Sequence, residues 1–131
     1  MPFFISEWNT NDLARSELLQ SINNNELLSK FRVDKIRRCF VNFDFGREIH
    51  HVHTHYGDNV LLYQANMEWR PEWYGETFYY DDDCENIVYI NEYTPGRLIF
   101  FDGEVPHAFR PPSRVAPYFR FTISMFIEKG E

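Results

Sequence analysis

The residues best able to do chemistry in this chain are its five histidines. His50, His51, His53 and His55 fall within six positions, and His107 lies far downstream. Alternate side chains of an extended strand point the same way, so His51, His53 and His55 share one face. Two imidazoles at i and i+2 can bind one ion if a third ligand arrives from another strand, and His107 is of the right type. Neutral imidazole suits iron, zinc, copper or nickel. The expected metal set is His53, His55 and His107. His51 with His53 is a second register for the pair. Asp58 is an alternative carboxylate, three residues beyond His55 across the turn at Gly57. Taken alone, an H-x-H pair reads more readily as a solvated histidine-rich strand, so the rest of the chain decides.

The C-terminal segment adds a cation. Phe119, Phe121, Ile123, Met125 and Ile127 fall on one face of an extended strand; Arg120, Thr122, Ser124 and Phe126 fall on the other. The first face reads as core. The second sets a guanidinium beside two hydroxyls in an otherwise apolar segment. If buried, Arg120 needs an anionic partner; otherwise it faces water outside the sheet.

Strands must hold these groups. From Lys35 onward, aromatic and β-branched residues dominate, and turn signals recur at short intervals, among them Gly46, Gly57, Tyr74-Gly75, Pro95-Gly96 and Asp102-Gly103. Many short strands at that spacing mean a sandwich, barrel or jelly roll, and the expectation is a jelly roll. The one helical signal lies earlier. Asn9 or Thr10 can cap a helix with Leu13, Leu18, Leu19 and Ile22 on its apolar side, interrupted at Asn23-Asn24-Asn25 and followed by a shorter turn from Glu26 to Lys30. At 131 residues the chain is expected to form a single domain over 1–131, mainly β, with a helical part at 9–31 and a jelly-roll core at 35–128.

The motifs also come in a telling order. His53-Thr54-His55 is followed by Leu62-Tyr63-Gln64-Ala65-Asn66 and Trp69, then Gly75-Glu76-Thr77, Pro95-Gly96-Arg97 with Phe100, His107, and Arg120-Phe121-Thr122. Over residues 46 to 127 this resembles the prolyl 4-hydroxylase-like group of iron(II)- and 2-oxoglutarate-dependent oxygenases, built on a double-stranded β-helix. Their pattern is an H-x-D pair, a YLN…W…GGE stretch, a PGR…F strand, a distal histidine, and an Arg or Lys ahead of a small hydroxyl on the final strand. The resemblance implies iron(II) as cofactor and 2-oxoglutarate as co-substrate, with hydroxylation of a C–H bond in a peptide or small molecule. It makes His107 the distal iron ligand and Arg120 the fork for the far carboxylate of 2-oxoglutarate. Thr122 adds a hydroxyl to that carboxylate, and Tyr63 is the tyrosine that helps hold the co-substrate. One departure stands out: where the family has H-x-D, this chain has H-x-H. His55 then takes the carboxylate's place and the metal face becomes three imidazoles, unless Asp58 supplies the missing acid.

Two other functions compete. A cupin-type metalloenzyme shares the jelly roll and favours H-x-H, although Gly46 is out of step for it and the glutamate expected a few residues later is replaced by Asp58 or by nothing. A non-catalytic jelly-roll binding protein with a degenerate metal site explains the lost aspartate but not a retained His107 and Arg120. The net charge of −7 argues against a nucleic-acid partner. No apolar run reaches membrane-span length, and Met1 to Trp8 lacks a secretory pattern, so a cytoplasmic protein is expected. Cys39 and Cys84 read as free thiols. Trp69, Arg70, Pro71 and Trp73 either close over the site or pack in the core. With few residues available for helices to brace the larger sheet, a homodimer covering exposed sheet edges is one remedy.

Overall fold

Short strands separated by Gly and Pro turns cannot each bury an apolar face alone, and two facing sheets solve the problem. The computed structural model describes residues 3–7, 36–44 and 51–129; the helical segment expected at 9–31 lies outside the described residues. The strands are β1 (Phe3–Glu7), β2 (Ile36–Asp44), β3 (Asp58–Gln64), β4 (Thr77–Tyr80), β5 (Ile87–Asn91), β6 (Leu98–Asp102), β7 (His107–Phe109) and β8 (Arg120–Glu128). A 3-10 turn, Pro71–Trp73, precedes β4.

The large sheet has the order β1-β2-β8-β3-β6 and the small sheet β5-β4-β7. Every pairing is antiparallel. An isolated bridge between His53 and His107 adds the histidine-rich segment to the open side of β7. Counting that bridge, the chain from Ile36 onward places four extended segments in each sheet. This is the jelly roll, or double-stranded β-helix.

Alternation then assigns the faces. On β8, Met125 and Ile127 are buried in a cluster with Ile36, Cys39 and Leu61, against which Leu98, Phe100 and Ile123 pack. That cluster lies on the face of the large sheet turned away from the small one. The other parity, Arg120, Thr122, Ser124 and Phe126, faces the interior between the sheets together with Val60 and Leu62 of β3. Cys39 is buried and Cys84 exposed, and both thiols are free. Among the described residues, no helix is long and apolar enough to cross a membrane.

Candidate functional site

The interior between the sheets holds a cavity of about 360 Å³ whose lining includes His53, His55, His107, Arg120, Asp44 and Thr77. The three imidazoles form one end. His53 and His107 exchange both backbone hydrogen bonds of their bridge, at 3.0 and 3.1 Å, which fixes two rings on neighbouring segments. Their ring centroids are 4.4 Å apart, and His55 stands 4.9 Å from His53 and 5.1 Å from His107. One ring nitrogen from each residue lies within 4.8 Å of the other two, so small side-chain rotations bring all three onto one ion.

The donor set suits a divalent metal. Nδ1 of His53 faces the carbonyl of His51 at 2.9 Å, and Nδ1 of His107 faces that of Val105 at 2.8 Å. A ring that donates Nδ1–H to a carbonyl keeps its Nε2 lone pair for a metal. Burial lowers the His107 pKa to about 4; the neighbouring His53 and His55 add to this and the Val105 carbonyl opposes it. His55 is lowered as well, by burial first and then by His53, with Asp58 opposing. Both rings are therefore neutral at pH 7, as ligands must be.

Asp58 does not join the cluster. Its carboxylate accepts from Arg37 Nη1 at 3.1 Å. His51 is exposed and contributes only its carbonyl to His53. Of the residues weighed from the sequence, the structure thus brings together His53, His55 and His107, and it leaves Asp58 and His51 aside.

His55 is placed by contact with β6 and its turn. Its amide donates to the carbonyl of Gly103 at 2.6 Å, and its ring packs on Phe126. A Cβ at Gly103 would lie 2.5 Å from the carbonyl oxygens of both His55 and Asp58 and 2.9 Å from the His55 Cβ. Backbone on both sides cannot yield cheaply. Gly103→Ala is expected to push the 55–58 turn away, cost roughly 1–3 kcal/mol of stability, and weaken metal binding. Urea unfolding and metal titration of the one variant check the two effects.

The depressed His107 pKa has a consequence for stability. Between its folded value of about 4 and the ordinary 6.5, the unfolded chain binds a proton that the metal-free fold does not. The contribution is therefore fully present above 6.5 and is lost as pH falls toward 4. The loss from His107 is about 3 kcal/mol, and His55 acts in the same direction. Denaturant midpoints in chelator at neutral and mildly acid pH check this, and His107→Gln should flatten the slope.

Arg120 closes the other end of the cavity. It is 2% exposed, which removes the alternative of a solvated outer face. Its Nε donates to Gly75 O at 2.9 Å, Nη2 to Thr77 Oγ1 at 3.3 Å, and Nη1 to Asp44 Oδ2 at 3.4 Å. The guanidinium carbon lies 4.4 Å from the Phe109 ring centroid and 5.3 Å from that of Tyr93. Gly75 permits this approach: at φ +84°, a Cβ there would meet Trp69 at 3.2 Å and Arg120 Cδ at 3.4 Å. The backbone on either side of Arg120 is tied to Asn66, which donates to Phe119 O and accepts from Phe121 N at 2.8 and 2.7 Å. Tyr93 Oη, 2.7 Å from Asn66 Oδ1, holds that amide in place.

Thr122 lines the cavity beside Arg120 and accepts from Asn42 at 3.5 Å. Tyr63 does not line it. Its neighbours Leu62 and Gln64 have the inward parity, so Tyr63 shares the opposite face with Leu61, and the tyrosine expected beside the co-substrate is not at the site. Trp69 and Trp73 meet edge-to-face at 5.5 Å, and Trp69 also packs on Tyr93, so this segment braces the Arg120 end from behind. Asp44, 3% exposed and the direct cross-strand partner of Arg120, was not anticipated. The signal lay in the second half of β2, where Asn42 and Asp44 interrupt and end the apolar run Cys39–Phe43 at i and i+2 on the face of Phe40.

No protein-family model matches the chain, and no curated protein matches it in sequence. Solved structures do match its fold. A Pseudomonas putida prolyl-4-hydroxylase aligns with a TM-score of 0.64 and 16% identity, over 98% of this chain and 72% of that one. Fe(II)-HppE with the alternative substrate (S)-1-HPP aligns with a TM-score of 0.51 and 14% identity, over 72% of this chain. This chain covers 43% of that one. At such identities the likeness is one of architecture: this chain has the same jelly roll as a prolyl-4-hydroxylase and an Fe(II)-bound enzyme.

Proposed function

We propose that the chain is an iron(II)-dependent oxygenase that uses 2-oxoglutarate as co-substrate and hydroxylates a C–H bond in a small molecule or peptide. The observation that carries this reading is a single interior cavity with three convergent imidazoles at one end and a buried guanidinium fork at the other. His53, His55 and His107 would hold the metal, His55 in the place where the resembling family has a carboxylate. Iron(II), when bound, supplies the dioxygen chemistry. Arg120 offers a planar fork to the far carboxylate of the co-substrate, with Thr122 beside it. Phe40, Phe101, Phe109 and Phe126 give the cavity apolar walls that exclude water from the reacting groups. The fold shared with a prolyl-4-hydroxylase supports the same reading.

A second reading draws on the all-imidazole metal face and on Asp44 already standing at Arg120: a cupin-type metalloenzyme that needs no 2-oxo acid. Anaerobic titration separates the two. Iron(II) followed by 2-oxoglutarate should raise a metal-to-ligand absorption band, and admitting air should then convert 2-oxoglutarate to succinate. Tight iron binding with no band favours the cupin-type reading. Absence of specific metal binding would leave a non-catalytic jelly roll.

A further inference from the structure

Two charged side chains, Asp44 and Arg120, face each other across adjacent strands inside the cavity, and their charges cancel. A co-substrate carboxylate seated on the Arg120 fork would lie beside the Asp44 carboxylate, which is itself 3.4 Å from Arg120 Nη1. Asp44 cannot turn out to water, because it is 3% exposed. Nε and one N–H of Nη2 are already directed to Gly75 and Thr77, so an incoming carboxylate must take the remaining N–H groups of the two terminal nitrogens, and it shares Nη1 with Asp44.

We infer that Asp44 is the specificity-determining residue at the carboxylate end of the cavity: an internal anion that competes with the far carboxylate of a dicarboxylic 2-oxo acid for Arg120. This rests on the proposed use of a 2-oxo acid at the same site and adds what limits its choice. In the wild-type protein, repulsion from Asp44 offsets most of the attraction of Arg120. A 2-oxo acid with an uncharged tail therefore binds nearly as well as 2-oxoglutarate. Burial raises the Asp44 pKa while Arg120 opposes the rise, in keeping with a carboxylate whose charge is sustained chiefly by this one partner.

The test is calorimetric titration of the iron(II)-loaded protein, without oxygen, using 2-oxoglutarate and 2-oxopentanoate, which lacks the far carboxylate. Wild type should bind the two within about tenfold, a difference of no more than about 1.4 kcal/mol. Asp44→Asn keeps an oxygen for Arg120 but removes the negative charge. It should bind 2-oxoglutarate at least about tenfold tighter than wild type and leave 2-oxopentanoate unchanged. Its melting temperature should fall without ligand, because Arg120 loses its counter-charge, and 2-oxoglutarate should raise it by more than in wild type. A merely structural Asp44 would show the fall without the tighter binding. The inference is overturned if folded Asp44→Asn binds 2-oxoglutarate no better than wild type. Should that variant not fold, a wild-type preference for 2-oxoglutarate of more than about tenfold overturns it equally, and a preference within tenfold upholds it. If iron binds but neither acid does, the co-substrate reading fails and takes this inference with it.

Discussion

Replacing His107 with alanine is expected to abolish specific iron(II) binding. His107 is the one imidazole of the cluster supplied by β7, and its ring stands within 4.4–5.1 Å of both others. Without it, His53 and His55 present two nitrogens and an open side, which water fills. Losing only a supporting hydrogen-bond partner of a metal ligand typically weakens binding about 10- to 100-fold. Losing the ligand itself should exceed that range. The fold should survive, because the His53–His107 bridge is made by backbone atoms that alanine retains. Equilibrium dialysis against buffered iron(II), with circular dichroism as the control for folding, measures the effect. Iron binding equal to the parent would remove His107 from the site.

Arg120→Ala should have the largest effect on stability. The change leaves Asp44 buried without its counter-ion, and breaking a buried pair in this way costs about 3–5 kcal/mol. It also removes the far anchor of the co-substrate. The two consequences separate in a double-mutant comparison. In the Asp44→Asn background, where the competing charge is gone, adding Arg120→Ala should weaken 2-oxoglutarate by roughly 30- to 150-fold, the 2–3 kcal/mol of a charged, paired hydrogen bond. Iron binding should stay nearly intact, since Arg120 lies at the opposite end of the cavity. Replacing both partners with apolar residues, as in Arg120→Met with Asp44→Leu, should recover much of the stability without the co-substrate. Denaturant unfolding and calorimetry on these variants decide it. Unchanged 2-oxoglutarate affinity on loss of Arg120 would rule out the carboxylate fork.

Where the sequence was legible, periodicity made it so. The alternation in Phe119–Ile127 separates an apolar face from a polar one, and the structure puts them on opposite sides of β8. His53 and His55 share strand parity, and a distal His107 was needed to complete them; both features are properties of residue type and spacing. What stayed illegible depends on pairing between distant strands. Asp44 meets Arg120 only because β2 lies beside β8 in a register that nothing local encodes. Tyr63 was misplaced by motif position, although parity within β3 puts it on the far face from Val60 and Leu62. Asp58 looked available because it follows His55 closely, but its carboxylate is committed to Arg37 on another strand. Asp102-Gly103 signalled only a turn, since the need for glycine at 103 arises from two carbonyls that approach it from the 55–58 turn.

The backbone bridge between His53 and His107 sets the order of events at this site. Because each residue gives its amide to the other's carbonyl, the spacing of two imidazoles is a property of the polypeptide before any ion arrives. Binding then orders few new torsions, and an ion can enter or leave without the sheets coming apart. In hydrogen–deuterium exchange, the amides of His53 and His107 should stay protected when chelator strips the metal. The response to the metal should be confined to side chains, so the protein would behave as a rigid receptor for its ion, with its fold independent of the load.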